Sequence, residues 1–76
     1  MDIVVKTPLM ADKIKALLDG NTFGGASYAF VDKKGMEMTF RVLGEGVESL
    51  DVAAIAKNAI KDTEYGKGIY FSVVQK

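Results

Sequence analysis

The stretch "ASYAFVDKKGMEMTFRVL", Ala26 to Leu43, constrains the fold more than any other part of the chain. Two runs rich in aromatic and β-branched residues flank the turn-forming "DKKG", which is the pattern of a β-hairpin. A three-residue loop of Lys33, Lys34 and Gly35, with Gly35 at positive φ forming a bulge, sets the register. Asp32 then faces Met36, Phe30 faces Met38, Tyr28 faces Phe40 and Ala26 faces Val42. Large apolar side chains meet on one face. A two-residue loop of Lys34 and Gly35 would put Phe30 and Phe40 on opposite faces.

The rest of the chain is arranged around this hairpin. Ile3 to Lys6 is β-branched and reads as a strand. Thr7 is placed to cap a helix and Pro8 suits its first position. Met10, Ile14, Leu17 and Leu18 fall at helical spacing, and Gly20 stands where a C-terminal glycine is expected. After the hairpin, Ser49 reads as an N-cap and Asp51 favours the start of a second helix. Val52, Ile55, Ala56, Ala59 and Ile60 form its apolar stripe. The segment "KDTEYGKG" ends that helix. "IYFSVVQ" is a last strand alternating Ile69, Phe71 and Val73 with Tyr70, Ser72 and Val74.

This order, β-α-β-β-α-β, resembles the ferredoxin-like split βαβ motif. The expectation is one α+β domain over residues 1–76, with a four-stranded antiparallel sheet and two helices on one face. The resemblance is of element order only, and such a fold hosts many unrelated functions.

The stretch "DGNTFGG", Asp19 to Gly25, resembles a phosphate loop in its glycine content alone. A phosphate loop runs from a strand into a helix N-terminus, whose N–H groups and dipole hold the anion. Here the glycines follow a helix and precede a strand, and neither glycine-loop motif is matched. Gly20 is read as a cap, and Gly24 and Gly25 as a bulge or a close backbone approach. Phe23, as the first large apolar group after the helix, is expected to close the core near Leu17 and Val47. It should matter more to stability than the glycines beside it.

Catalysis finds little support in the composition. The chain has no histidine and no cysteine, so the commonest general base and the most reactive nucleophile are both missing. Glu45, Glu48 and Asp51 are spaced at three and read as a solvated acidic helix start. Neither a calcium-loop spacing nor a zinc ligand set occurs. Heavy-metal chaperones of the ferredoxin-like topology carry two cysteines after the first strand, where this chain has Lys6, Thr7 and Pro8. Acylphosphatases carry an arginine in that loop and an asparagine on the central hairpin strand, and "MEMTFRVL" has no asparagine. RNA-recognition motifs stack bases on aromatics of the central strands, whereas Phe40 here points into the core. No enzyme activity and no cofactor are expected.

Two surfaces remain as candidates. The open face of the sheet gathers Val4, Ala29, Val31, Thr39, Arg41, Leu43, Tyr70, Ser72 and Val74, a flat and mostly small-residue surface of the kind that marks interfaces. The first expectation is a non-catalytic binding or assembly module that pairs through this face with a second copy, as a homodimer, or with a protein partner. The alternative is an anion- or small-ligand-binding module at the basic end around the first helix N-terminus, using Lys6, Thr7, Lys33 and Lys67. Ten basic residues balance ten acidic ones, so nucleic acid is not an expected partner. The start "MDIVVK" lacks the features of a signal peptide, and the longest wholly apolar run is "VAAIA". A soluble cytoplasmic protein with no membrane partner is expected.

Overall fold

The computed structural model describes residues 1–76. Strand β1 spans Asp2–Lys6, helix α1 Ala11–Leu18, β2 Asn21–Phe23, β3 Ala26–Lys34, β4 Glu37–Leu43, a 3₁₀ turn Val47–Ser49, α2 Val52–Lys61 and β5 Ser72–Gln75. All five strands join one antiparallel sheet in the order β2-β3-β4-β1-β5. The sheet is curled into a half-barrel. The four-stranded ferredoxin-like arrangement is therefore not what this sequence forms.

The difference lies in two local features. The first is β2. Gly24 and Gly25 both take positive φ, 56° and 87°, and Phe23 pairs with Ala26 across them. Two consecutive positive-φ residues make a type I′ connection, which only glycine and a few polar residues adopt easily. The glycines thus turn the chain into a tight hairpin, where a bulge or a close backbone approach was expected, and Asn21–Phe23 becomes an edge strand. The second feature is a bulge in β3. Tyr28 faces Val42 and Phe30 faces Phe40, but Asp32 faces Thr39 and Lys34 faces Glu37. Val31 is the extra residue, and such an insertion bends its strand and increases the local twist.

The central hairpin loop is Gly35–Met36, with Gly35 alone at positive φ, so the expected three-residue loop and register are corrected. Tyr28 and Phe40 each face a residue two positions from the expected one. An even shift keeps each side chain on its side of the sheet. Tyr28, Met38, Phe40 and Val42 are accordingly all buried.

Beneath the sheet, Ile3 and Val5 of β1 meet Ile14 and Leu18 of α1 and Val52, Ala56 and Ile60 of α2 in one core. Both helices present i, i+4 stripes to it. The Tyr28 hydroxyl donates to the Val52 carbonyl at 2.7 Å, tying the sheet to the first turn of α2. Burial pushes this hydroxyl up to about 12, and the Asp51 carboxylate adds to the shift.

The helix starts also differ from expectation. Thr7 does not cap α1, which begins at Ala11 behind Met10, itself at φ 62°. Asp51, not Ser49, caps α2, accepting from the Ala54 N–H at 3.1 Å. Gly20, at φ 77°, follows the end of α1 as expected.

A lysine-lined cleft between α2 and the strand that follows

The chain between α2 and β5 is fastened at three points. Thr63 donates its N–H and its hydroxyl to the Ile60 carbonyl, at 3.1 and 2.6 Å, folding the chain back over the last turn of α2. Gly66 is buried there, and its N–H donates to Thr63 Oγ1 at 2.9 Å. Tyr65 reaches across to α1, donating to the Lys13 carbonyl at 3.2 Å, with the Lys13 ammonium 5.7 Å from its ring centre. Ile69 and Phe71 pack against the core. Tyr70 between them points outward and is 92% exposed.

These constraints leave a cleft of about 490 Å³ lined by Lys57, Lys61, Gly66, Lys67, Ile69, Tyr70 and Phe71. Lys57 and Lys61 are one turn apart on α2 and so project from one side of it. Lys67 comes from the fastened segment. The one ion pair in the molecule joins Arg41 Nε to Asp2 Oδ1 at 3.6 Å on the open sheet face, so no carboxylate neutralises these three lysines at salt-bridge distance. Asp62 and Glu64 belong to the same segment but do not line the cleft. A helix C-terminus by itself repels anions. Here the Asn58 and Ile60 carbonyls are already taken by the N–H groups of Asp62 and Thr63, which blunts that effect. Among the local N–H groups, those of Gly66, Lys67 and Gly68 are occupied, by Thr63 Oγ1 and by the Thr63 and Tyr65 carbonyls. The positive charges that line the cleft are the ammonium groups of Lys57, Lys61 and Lys67.

Of the residues singled out for an anion site, Lys67 lines this cleft. Lys6 stands exposed on β1, opposite Ser72 on one side and Glu37 on the other. Thr7 is buried, with its N–H given to Met36 at 2.9 Å and its hydroxyl to the Leu9 carbonyl. Lys33 lies on β3 opposite Met38. Lys6, Thr7 and the hairpin tip do meet at one end, joined by the Thr7–Met36 bond, but α1 starts four residues later and contributes no N-terminus to Thr7. Lys57 was not singled out by sequence. Its signal was the four-residue spacing to Lys61 on a face next to the buried stripe.

The open sheet face carries Val4, Thr39, Arg41, Leu43, Ala29, Ser72 and Val74 as expected from their alternation with buried neighbours. Val4 lies beside both Val74 and Thr39, while Leu43 pairs with Ser27 at the far end of β4. Val31 sits exposed at the bulge. Between these apolar groups lie Asp2, Lys6, Asp32, Lys34 and Glu37. A second hollow on this face, of about 190 Å³, is lined by Val4, Asp32, Lys34, Glu37, Thr39 and Lys76. Tyr70 precedes β5 and belongs to the cleft.

No helix is long and apolar enough to cross a membrane. No protein-family model matches the chain, and no curated protein or solved structure matches it significantly. The fold and this site define a small α+β protein with a curled antiparallel sheet and one basic cleft.

Proposed function

We propose that this chain is a non-catalytic binding module whose ligand is a small, multiply charged anion seated between Lys57, Lys61 and Lys67. The observation that carries the reading is the convergence of three unpaired ammonium groups on one cleft of about 490 Å³. That volume lies within the range of small-ligand sites, about 300–1,000 Å³. The walls are held by side-chain bonds from Thr63 and Tyr65, so the backbone needs little ordering on binding and the ordering cost falls on the exposed lysine side chains. Titration with pyrophosphate, followed by amide NMR, tests it. Shifts are expected in the last two turns of α2 and in residues 66–71, weakening with added salt. Lys57→Gln and Lys61→Gln should each weaken them. An unshifted spectrum at millimolar pyrophosphate would sink the reading.

A second reading is association through the open sheet face, with a copy of the chain or a protein partner. The pairing of Val74, 56% exposed on edge strand β5, with Val4 of β1 favours it. Light scattering across a concentration series tests it, and Val74→Lys should hold the chain monomeric. A parent chain that is monomeric throughout the series removes the self-association.

A further inference from the structure

We infer that the ligand of the basic cleft carries a planar ring beside its phosphates, and that it is a nucleoside diphosphate or a close relative. This rests on the anion-binding reading above and adds the chemistry of the second half of the cleft. Its lining sets Lys57 and Lys61 of α2 beside Lys67 and, three residues further along the fastened segment, Tyr70, which is flanked by Ile69 and Phe71. Ile69 and Phe71 are half-buried and anchored in the core, so the backbone that carries Tyr70 is fixed while its ring is nearly bare. Tyr70 is by a wide margin the most exposed large apolar side chain, at 92% against 59% for Leu9. An aromatic ring held in water next to ammonium groups is an arrangement that stacks a base while the phosphates are neutralised.

The dimensions agree. Four residues of helix separate Lys57 and Lys61 by about 6 Å along the axis, a spacing that two linked phosphates can bridge. A cleft of about 490 Å³ is larger than an inorganic anion fills, which leaves room for a ring. Apart from the lysines and the Tyr70 hydroxyl, the lining side chains are apolar. No lining side chain therefore supplies the paired donors and acceptors that read a base edge, and stacking area sets the preference expected from the side chains. Purines should bind better than pyrimidines, and adenine and guanine about equally. A nucleic-acid strand would need aromatics and basic groups repeated along a track. This cleft offers one tyrosine, and the formal charge of the chain is zero.

Isothermal titration with four probes decides the matter: pyrophosphate, ADP, adenosine and a ten-nucleotide oligo(dA). ADP should bind about tenfold more tightly than pyrophosphate, the size of one stacking contact. Tyr70→Ala, at a position too exposed to disturb folding, should bring ADP down to the pyrophosphate level and leave pyrophosphate unchanged. Tyr70→Phe should retain most of the difference. Equal affinities for ADP and pyrophosphate would overturn the ring while leaving the anion site standing. Adenosine binding as well as ADP would overturn the phosphate half, and failure of all four probes would remove the anion site itself. If the oligonucleotide binds far more tightly than ADP, the site belongs to a strand and the mononucleotide assignment is wrong.

Discussion

Gly66 is the position where one methyl group should do most damage. A Cβ built there would lie 1.8 Å from the Ile60 carbonyl oxygen, 2.6 Å from its carbon and 2.7 Å from Thr63 Oγ1. The first two are main-chain atoms at the end of α2, so no rotamer change relieves the contact. The least costly response to Gly66→Ala is release of the segment from α2. That gives up the bonds from Gly66 N–H to Thr63 Oγ1, from Thr63 Oγ1 to Ile60, from Lys67 N–H to Thr63 and from Gly68 N–H to Tyr65. At about 0.5–1.5 kcal/mol net for each bond, release costs about 2–6 kcal/mol. A chain of this length is stable by about 4–11 kcal/mol at 0.05–0.15 kcal/mol per residue, so roughly a fifth of the total or more is at stake. Urea melts of Gly66→Ala beside Gly68→Ala measure it. Gly68 has nothing within 4 Å of an added Cβ and does not take positive φ, so its alanine should be neutral or stabilising by up to about 1 kcal/mol. The same Gly66 variant should lose pyrophosphate binding, because Lys67 leaves the cleft. Equal urea midpoints for parent and Gly66→Ala would refute both the packing of this segment and the rigidity claimed for the site.

Three further perturbations test the rest of the fold. Tyr28 is held protonated in the folded state, with its hydroxyl pushed up from 10 to about 12; its contribution is complete below pH 10 and is lost as pH rises through 12. At 1.36 kcal/mol per unit this amounts to roughly 2–3 kcal/mol, and Tyr28→Phe should flatten the alkaline limb of a stability–pH profile; an unchanged slope refutes it. Met10 adopts φ 62° ahead of α1 and is exposed, a conformation that costs an ordinary residue about 1–2 kcal/mol. Met10→Gly should therefore gain roughly 0.5–1 kcal/mol after the entropy of glycine is deducted, and a lower thermal midpoint would show that the strain is absent. At the β2–β3 turn, Phe23 is half-buried with its ring centre 6.4 Å from that of Tyr28, and Gly24 needs positive φ. Phe23→Ala and Gly24→Ala should cost similar amounts, about 1–2 kcal/mol each; a silent Gly24→Ala in a chemical melt would contradict the type I′ turn.

The turn at Gly24 and Gly25 marks where the sequence was legible and where it was not. Periodicity located both helices and the long hairpin, because buried stripes such as Val52, Ala56 and Ile60 follow from helix geometry alone. It placed Phe40 in the core and Arg41 outside, since alternation survives an even register shift. It could not find β2. Three residues carry too little pattern, and what makes them a strand is the backbone of Gly24 and Gly25, whose handedness is not written in hydropathy. The same holds for the bulge at Val31: "AFVDKK" alternates poorly, and only pairing with β4 decides which residue is extra. These two omissions account for the fifth strand and for the curl of the sheet.

The cleft was half legible for a related reason. Lys61, Lys67 and Tyr65 could be assigned to the basic end of the molecule, because the loop before the last strand must return to β1 there; Lys6 does pair with Ser72. Thr7 drew attention because threonine before proline is a strong helix-start signal. The chain uses it otherwise, burying Thr7 so that its N–H meets the hairpin loop at Met36 and its hydroxyl meets the Leu9 carbonyl. Position in sequence therefore pointed to the right end but the wrong helix terminus. What selects the α2 side is Gly66, which admits the main chain within contact of the Ile60 carbonyl and so brings Lys67 to Lys57 and Lys61. A glycine in "EYGKG" reads as a generic breaker until its neighbour across space is known. Its requirement is steric and non-local, which is why the residue most needed to form the site is one that the sequence presents as ordinary.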